Sequence, residues 1–273
     1  LDDTPNCGNI LSGVGAYALE TGMMTATGPR ASVMINMTNS GTLCRLEFPL
    51  VDGLPDYEGD ARIDGVAGTA APVMCFYQDL AGSACGALLP TGSAQDRFDG
   101  VAVSCVDNGM PVVVLRAADF GLSGTETPDA LNANEGVKAR LESIRLQAGE
   151  KMGLGDVSGK AVPKMCLVSP ATAGGSFGTR TFIPKVCHTA IGVLGAVTAA
   201  TAACLPDSVI ADLAMVPPGT PKTLQIEHPS GVFDVVLEFD GDAIVGAGLL
   251  RTTRCLARGE VFVPRSVWMG PAA

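Results

Sequence analysis

The stretch DTPNCGNILSGVGAYALETG, residues 3–22, places a cysteine directly before an apolar segment that is rich in small residues. Cys7 is followed by Gly8 and is flanked by two asparagines, Asn6 and Asn9. Small and apolar residues on nearly every side are typical of a helix that is buried and closely packed by other backbones. We therefore predict a buried central helix that begins at this cysteine.

In the predicted helix, residues 7–20, Cys7 lies at the N-terminal end. The first turn of a helix has unpaired N–H groups, which bind carboxylates and stabilise a thiolate. Cys7 is thus a candidate acid or base for proton transfer at carbon. Asn6, Gly8 and Asn9 are candidates for binding the substrate. The alternative is a buried structural cysteine, since free cysteines are often buried.

A second segment repeats the first. Cys187 precedes another apolar run, and a Gly-Ala pair follows it at the same distance as in the first segment. The similarity is either a chance likeness of two Ala/Gly-rich helices or the sign of two equivalent halves whose helix starts meet at one cleft. In the second reading His188 and Thr189 take the positions of Gly8 and Asn9. His188 then either pairs with a substrate carboxylate, carries a proton, or only caps a buried polar site.

Further polar residues are candidates for binding a carboxylate. The glycine-rich segment 174–180 ends in Arg180, whose guanidinium suits a carboxylate; the alternative is a flexible surface loop. Asp107 and Asn108 follow a predicted strand and either line the cleft or form an Asx turn. A further alternative is that Cys7 and His188 form a nucleophilic pair, but no peptidase signature surrounds either residue.

Composition excludes several classes of partner. The 273 residues have a formal net charge of −10 and no cluster of basic residues, which argues against nucleic acid and anionic membrane surfaces. No apolar run is long enough to span a membrane. Nine scattered cysteines without a CxxC pair indicate free thiols in a reducing compartment, the cytoplasm. The two histidines lack ligand spacing, so we expect no metal.

The order of predicted elements favours an α+β fold. Helices are predicted at 7–20, 127–149 and 188–205. Strand patterns separate them, at 32–37, 44–49, 73–77, 101–105, 111–115, 165–169, 224–228, 232–239, 243–248 and 260–263. Residues 224–239 form a hairpin around Pro229-Ser230-Gly231. Because strands and helices do not alternate regularly, we expect mixed or antiparallel sheets.

These motifs together resemble the 2-methylaconitate isomerase-like family, which has the diaminopimelate-epimerase-like fold. The resemblance rests on DTPNCGN (3–9), IDGVAGTAAP (63–72), GALLPTG (86–92), VSCVD (103–107) and CHTA (187–190). The stretches DNGMP (107–111), RTFIP (180–184) and IEHPSG (226–231) resemble its 4-oxalomesaconate tautomerase branch. The resemblance covers nearly the whole chain.

The resemblance implies two similar halves, each with a sheet around a central helix and with the site between them. We expect residues 1–106, joined by a returning segment 251–273, to form the first half and residues 107–250 the second. The resemblance further implies that the protein is a cofactor-independent isomerase or tautomerase. Such an enzyme moves a proton on an unsaturated keto-tricarboxylate, in the breakdown of aromatic compounds such as gallate. The resemblance assigns the acid/base role to Cys7 and the binding of a substrate carboxylate to Gly8 and Asn9, with His188 and Thr189 at the equivalent position of the second half. A homo-oligomer is left open.

Two alternatives accompany this expectation. One is an allylic double-bond isomerase of the methylaconitate or methylitaconate type. The other is a truncated, inactive homologue that binds carboxylates or serves a structural role. The inactive homologue is an alternative because of a stretch that family members carry ahead of the Asn-Cys-Gly-Asn motif. This stretch is Thr-Ser-Lys-Val-Ala, and its lysine is implicated as the base. That stretch does not occur in the sequence given.

Overall fold

The computed structural model describes residues 8–38, 41–260 and 262–268. The strands are β1 (Arg30–Met37), β2 (Thr42–Val51), β3 (Leu54–Pro55), β4 (Pro72–Gln78), β5 (Asp96–Phe98), β6 (Val101–Asp107), β7 (Pro111–Arg116), β8 (Lys164–Ser169), β9 (Phe177–Phe182), β10 (Lys222–His228), β11 (Gly231–Asp240) and β12 (Ala243–Thr252). The helices are α1 (Gly8–Leu11), α2 (Val14–Glu20), α3 (Pro128–Ala133), α4 (Glu135–Lys151) and α5 (Val193–Cys204). A 3₁₀ turn spans Ala117–Phe120.

One sheet joins the strands of the described chain in the order β1-β2-β4-β12-β11-β10-β9-β8-β7-β6-β5, with β3 paired to β2. The pairs β7–β8 and β9–β10 are parallel, and the other neighbours are antiparallel. The predicted mixed sheet is therefore confirmed. Because β12 pairs with β4, the chain returns to the first strands near its end. The division into halves at residue 106 stays a prediction.

Helix α5 forms the centre of the larger core. All its residues except Cys204 are buried, because the helix is built from alanine, valine, leucine, threonine and one glycine. It shares one apolar cluster with Leu11 of α1, Leu46 of β2 and Val235 of β11. The amphipathic α4 covers a second cluster, in which Leu141 and Ile144 pack with residues of β6, β7 and β8. The central apolar helix predicted from the second Cys-containing segment thus lies where it was expected.

The predicted hairpin is confirmed. Strands β10 and β11 pair from Lys222↔Leu237 to His228↔Gly231, which leaves Pro229 and Ser230 as the turn. Gly231 has a φ of 144°, and a Cβ there would lie 2.3 Å from Asp64 Oδ2. The turn therefore needs glycine for both its backbone angle and its close approach to the loop that carries Asp64.

Three predicted helices differ from the observed ones at their ends. The first is broken at residues 12–13, where α1 ends and α2 begins. It is also not the buried helix that was predicted, because Ile10, Val14 and Tyr17 are exposed. The second divides at Asn134, whose Oδ1 accepts a hydrogen bond from the Val137 N–H (3.1 Å) and so caps α4. The third begins at Val193 rather than at residue 188. In each case a capping or turn residue interrupts an apolar run that the pattern alone reads as continuous.

Two strand predictions are wrong. Residues 260, 262 and 263 have no regular structure, although a strand was predicted over 260–263. Conversely, β9 lies partly within the glycine-rich segment that was interpreted as a loop. Its residues Phe177 and Phe182 are buried and both of its neighbours, β8 and β10, are hydrogen-bonded to it. Tertiary pairing on both sides outweighs the weak strand signal of a Gly-Thr-Arg-Thr sequence.

Candidate active site

The start of α1 lies against the start of α5. Gly8 is buried, and a Cβ at this position would lie 2.6 Å from Val193 Cγ1 and 2.9 Å from the Tyr77 hydroxyl. This close contact is the predicted meeting of the two helix starts. The space beside Gly8 is filled by protein, so the glycine is needed for helix packing rather than, as expected, for the approach of a ligand on that side.

Of the three candidate residues next to Gly8 in the sequence, the structure describes Asn9. Cys7 and Asn6 lie outside the described residues, and their roles stay predictions. Asn9 is exposed, and its carbonyl accepts a hydrogen bond from the Ser12 hydroxyl (2.8 Å). The Asn9 side chain is therefore accessible from solvent at the point where the helices meet, as a binding residue requires.

His188 and Thr189 precede α5 rather than opening it. The His188 N–H donates to the Thr181 carbonyl (2.7 Å), and its Nδ1 accepts from the Ala190 N–H (2.8 Å). Thr189 is exposed. Burial, reinforced by Lys164, lowers the pKa of His188 below its ordinary value. The ring is therefore a neutral imidazole at neutral pH, with Nδ1 accepting and Nε2 protonated.

Arg180 lines a cavity of about 170 Å³ together with Ser169, Thr172, Glu227 and His228. Its Nε donates to the Glu126 carbonyl (2.6 Å) and its Nη1 to the Thr179 carbonyl (2.8 Å). Both partners are neutral backbone oxygens, so the cation is oriented but not neutralised by them. This is a suitable arrangement for binding a carboxylate group.

The loop that leads into the glycine-rich segment binds a carboxylate of the protein itself. The N–H groups of Thr172, Ala173 and Gly175 donate to the carboxylate of Glu227 at 2.7, 2.7 and 2.9 Å. Although burial acts in the opposite direction, these bonds hold the pKa of Glu227 below its ordinary value. An internal carboxylate thus occupies the anion-binding loop and fixes it beside Arg180.

His228 is a site residue that the sequence reasoning missed. It is buried at the end of β10, and its Nδ1 lies 3.2 Å from the Ser230 hydroxyl. Burial lowers the pKa of His228; Asp64 opposes this shift, and His188 and Arg180 reinforce it. The available signal was that the second of only two histidines ends a hairpin strand.

Asp107 and Asn108 have structural hydrogen bonds in place of the predicted exposure to the cleft. Asp107 is fully buried, and its Oδ2 accepts from the N–H groups of Ala84 and Cys85 at 2.8 and 2.7 Å. Burial raises the pKa of this carboxyl. The Asn108 amide donates to the Thr201 hydroxyl (2.7 Å), eight residues along α5 from its start and therefore about 12 Å away. Their role in substrate binding stays a prediction.

The PrpF protein family model matches residues 1–264. The chain belongs to the PrpF family. A 4-oxalomesaconate tautomerase of Pseudomonas putida is 49% identical over 99% of this chain and 75% of its own length. A (4E)-oxalomesaconate Delta-isomerase of a Novosphingobium species is 51% identical over 96% of this chain and 73% of its own length. The expected isomerase class is therefore confirmed for this PrpF member.

The fold agrees with that of a solved isomerase. The crystal structure of a methylitaconate-delta-isomerase matches 98% of this chain and 75% of its own chain, with a TM-score of 0.86 and 31% sequence identity. The expected epimerase-like α+β fold is confirmed by this likeness. None of the helices in the described ranges of this PrpF protein is long and apolar enough to cross a membrane.

Proposed function

We propose that this protein catalyses the tautomerisation of 4-oxalomesaconate or of a closely similar keto-tricarboxylate. The observation that carries the proposal is the identity of about half of all residues, over nearly the whole chain, to two enzymes named for oxalomesaconate. The reaction moves one proton between carbon and oxygen or between two carbons. It requires groups that hold carboxylates and one group that carries the proton.

The proton carrier in this proposal is Cys7, which directly precedes Gly8 in the sequence. A proton leaves the carbon next to the keto group, the electron pair moves into a dienolate, and the proton returns at the far end of the conjugated system or on oxygen. Donors that face the developing oxyanion lower the barrier. Asn6, Gly8 and Asn9 are the proposed donors from the first segment.

The remaining proposed binding groups are Arg180, His188 and Thr189. Arg180 is the proposed partner of one substrate carboxylate, since among the described residues its guanidinium donates to two neutral carbonyls and forms no ion pair. The neutral His188 ring is a proposed hydrogen-bond donor through Nε2. The scattered free cysteines suit a reducing compartment, and we place the protein in the cytoplasm.

The direct test is to follow ultraviolet absorbance while the purified protein acts on 4-oxalomesaconate. Acceleration over buffer that scales with protein concentration supports the proposal. Absence of acceleration by a protein whose circular dichroism shows the α+β fold would contradict it. That outcome would favour an inactive carboxylate-binding homologue.

An allylic isomerase is the second candidate, because the solved structure matched above is a methylitaconate isomerase. Both candidates remove a proton from carbon, but an allylic isomerase returns it to a different carbon and shifts a double bond. Incubating the protein separately with 4-oxalomesaconate and with methylitaconate distinguishes the two. The proposal predicts a higher kcat/KM for the keto-tricarboxylate.

A further inference from the structure

Strands β11 and β12 separate at one end and leave a cavity between them. Their paired register runs from Asp240↔Ala243 to Val236↔Gly248 and stops there. Beyond that point β11 continues with β10 as far as Gly231, while β12 continues with β4 as far as Thr252. A cavity of about 190 Å³ occupies this region, lined by both strands and by the loop that carries Arg62 and Asp64.

Arg251 lines this cavity, and its charge has no carboxylate partner among the described residues. The residue is only 6% exposed. Its guanidinium carbon lies 4.0 Å from the centre of the Phe233 ring, and its Nη1 donates to the Leu250 carbonyl (3.0 Å). In the described part of the chain no atom accepts a hydrogen bond from its buried Nε. A buried cation without a counter-charge is strongly unfavourable, so its retention points to a ligand.

The two carboxylates that line the cavity accept hydrogen bonds from N–H groups. Asp64 Oδ2 accepts from the Val232 N–H (2.9 Å), and Asp234 Oδ1 accepts from the Gln225 amide (3.3 Å). Arg62, at the exposed side, has no ion pair with any residue that the structure describes. Two guanidinium groups and two carboxylates therefore line the cavity, and among the described residues none of the four forms an ion pair.

The cavity adjoins the candidate active site. Val232 lines both this cavity and the one around Arg180 and His228. On the other side, the Arg251 guanidinium is within electrostatic range of Cys75 and Tyr77, and the Tyr77 hydroxyl would lie 2.9 Å from a Cβ at Gly8.

We propose that the cavity between β11 and β12 is a carboxylate-binding subsite in which Arg251, assisted by Arg62, holds one carboxylate of the tricarboxylate substrate. This inference rests on the proposed function for the identity of the substrate. The physical basis is the fork of guanidinium donors, which matches the two oxygens of a carboxylate. Phe233 fixes the plane of the Arg251 fork by stacking against it.

Calorimetric titration with citrate, a tricarboxylate that has no enolisable ketone, tests the subsite without catalysis. We expect Arg251→Gln to weaken citrate binding at least tenfold and Arg62→Gln to weaken it less. The matched control is Arg45→Gln. The Arg45 guanidinium also lies over a phenylalanine ring, Phe76, at 4.3 Å, but Glu47 neutralises it. That variant should bind citrate as the wild type does.

Two results would overturn the inference: no citrate binding by the folded wild type, or equal binding by wild type and the Arg251→Gln variant. If Arg251→Gln does not fold, by circular dichroism, the exposed Arg62→Gln variant decides in the same way. Activity separates this inference from the proposed function. A raised KM for oxalomesaconate with nearly unchanged kcat in Arg251→Gln supports the subsite. Citrate binding that depends on Arg251 in a protein without tautomerase activity would keep the subsite and reject the function.

Discussion

The two Cys-containing segments have matching sequences but different structures at their starts. Aligned on their Gly-Ala pairs, Val14 at the start of α2 falls within one position of Val193 at the start of α5. The difference lies just before these helices. Residues 8–11 form the one-turn helix α1, whereas residues 188–191 are irregular. The repeat therefore preserves a helix after each cysteine but not its burial, since Ile10, Val14 and Tyr17 are exposed whereas α5 is buried except at Cys204.

The cysteine of the second segment has a structural environment. Cys187 is buried and forms a β-bridge with Phe182, and its N–H donates to Asn132 Oδ1 (2.7 Å). Burial raises the pKa of its thiol to about 11, so it is protonated at neutral pH. The likeness of the two sequences thus does not imply the same chemistry, and the proposed proton transfer involves the first segment alone.

The largest expected effect separates the two cysteines by activity. Cys7→Ser should lower kcat/KM by roughly 10²–10⁴-fold, because the hydroxyl is a poor substitute for a thiol in proton transfer. The matched variant Cys187→Ser should retain activity near the wild-type value and lose only about 1 kcal/mol of stability. Steady-state kinetics on 4-oxalomesaconate and urea unfolding measure the two quantities.

The opposite pattern would break the comparison. Full activity in Cys7→Ser would remove that residue from the acid/base role. A large loss of kcat in a stably folded Cys187→Ser variant would show that the second cysteine takes part in the chemistry.

The second largest expected effect is a difference in the free energy of unfolding between variants at two aligned glycines. A Cβ at Gly15 would lie 2.7 Å from Phe48 Cε1, whereas a Cβ at Gly195 meets no atom within 4 Å. Gly15→Ala should therefore destabilise the protein by about 1–3 kcal/mol through overpacking. Gly195→Ala should stabilise it by about 0.5–1 kcal/mol, because alanine favours the helix and restricts the unfolded chain. Urea unfolding of both variants checks the signs, and equal signs would contradict the packing described here.

The smallest effect concerns pH. Burial lowers the folded-state pKa of His188, so between that value and the unfolded value of about 6.5 the unfolded chain binds more protons. Stability should therefore fall as the pH decreases from 7.5 through 6.5, and His188→Gln should reduce this fall. Unfolding free energies of wild type and variant at several pH values measure it. Identical pH dependence in the two proteins would show that His188 is not desolvated.

Much of the architecture is encoded in local patterns. The β10–β11 hairpin was predicted because a Pro-Ser-Gly turn joins two alternating strands, and α5 because an apolar run without charges has to be buried. The error at the start of α5 has a physical cause. Gly192 is the N-cap, with extended backbone angles, so the apolar run begins before the helix does.

Residues of the candidate site could be predicted only where a polar residue stands next to a turn-forming segment in the sequence. Asn9, Arg180 and His188 were found because they flank glycine-rich or cysteine-containing segments. Arg251 and His228 were missed because their surroundings come from residues distant in the sequence: Arg251 stacks on Phe233, and His228 lines one cavity with Arg180 and Thr172. Asp107 looked accessible at the end of a strand, but the loop containing Ala84 and Cys85 folds over it.

The most direct test of the account is proton exchange at the substrate. We would incubate the protein with 4-oxalomesaconate in D₂O and follow the carbon next to the keto group by ¹H NMR. The account predicts protein-dependent loss of that proton signal in the wild type and in Cys187→Ser, and a strongly reduced rate in Cys7→Ser. Exchange no faster than in buffer, with a folded wild-type protein, would contradict it.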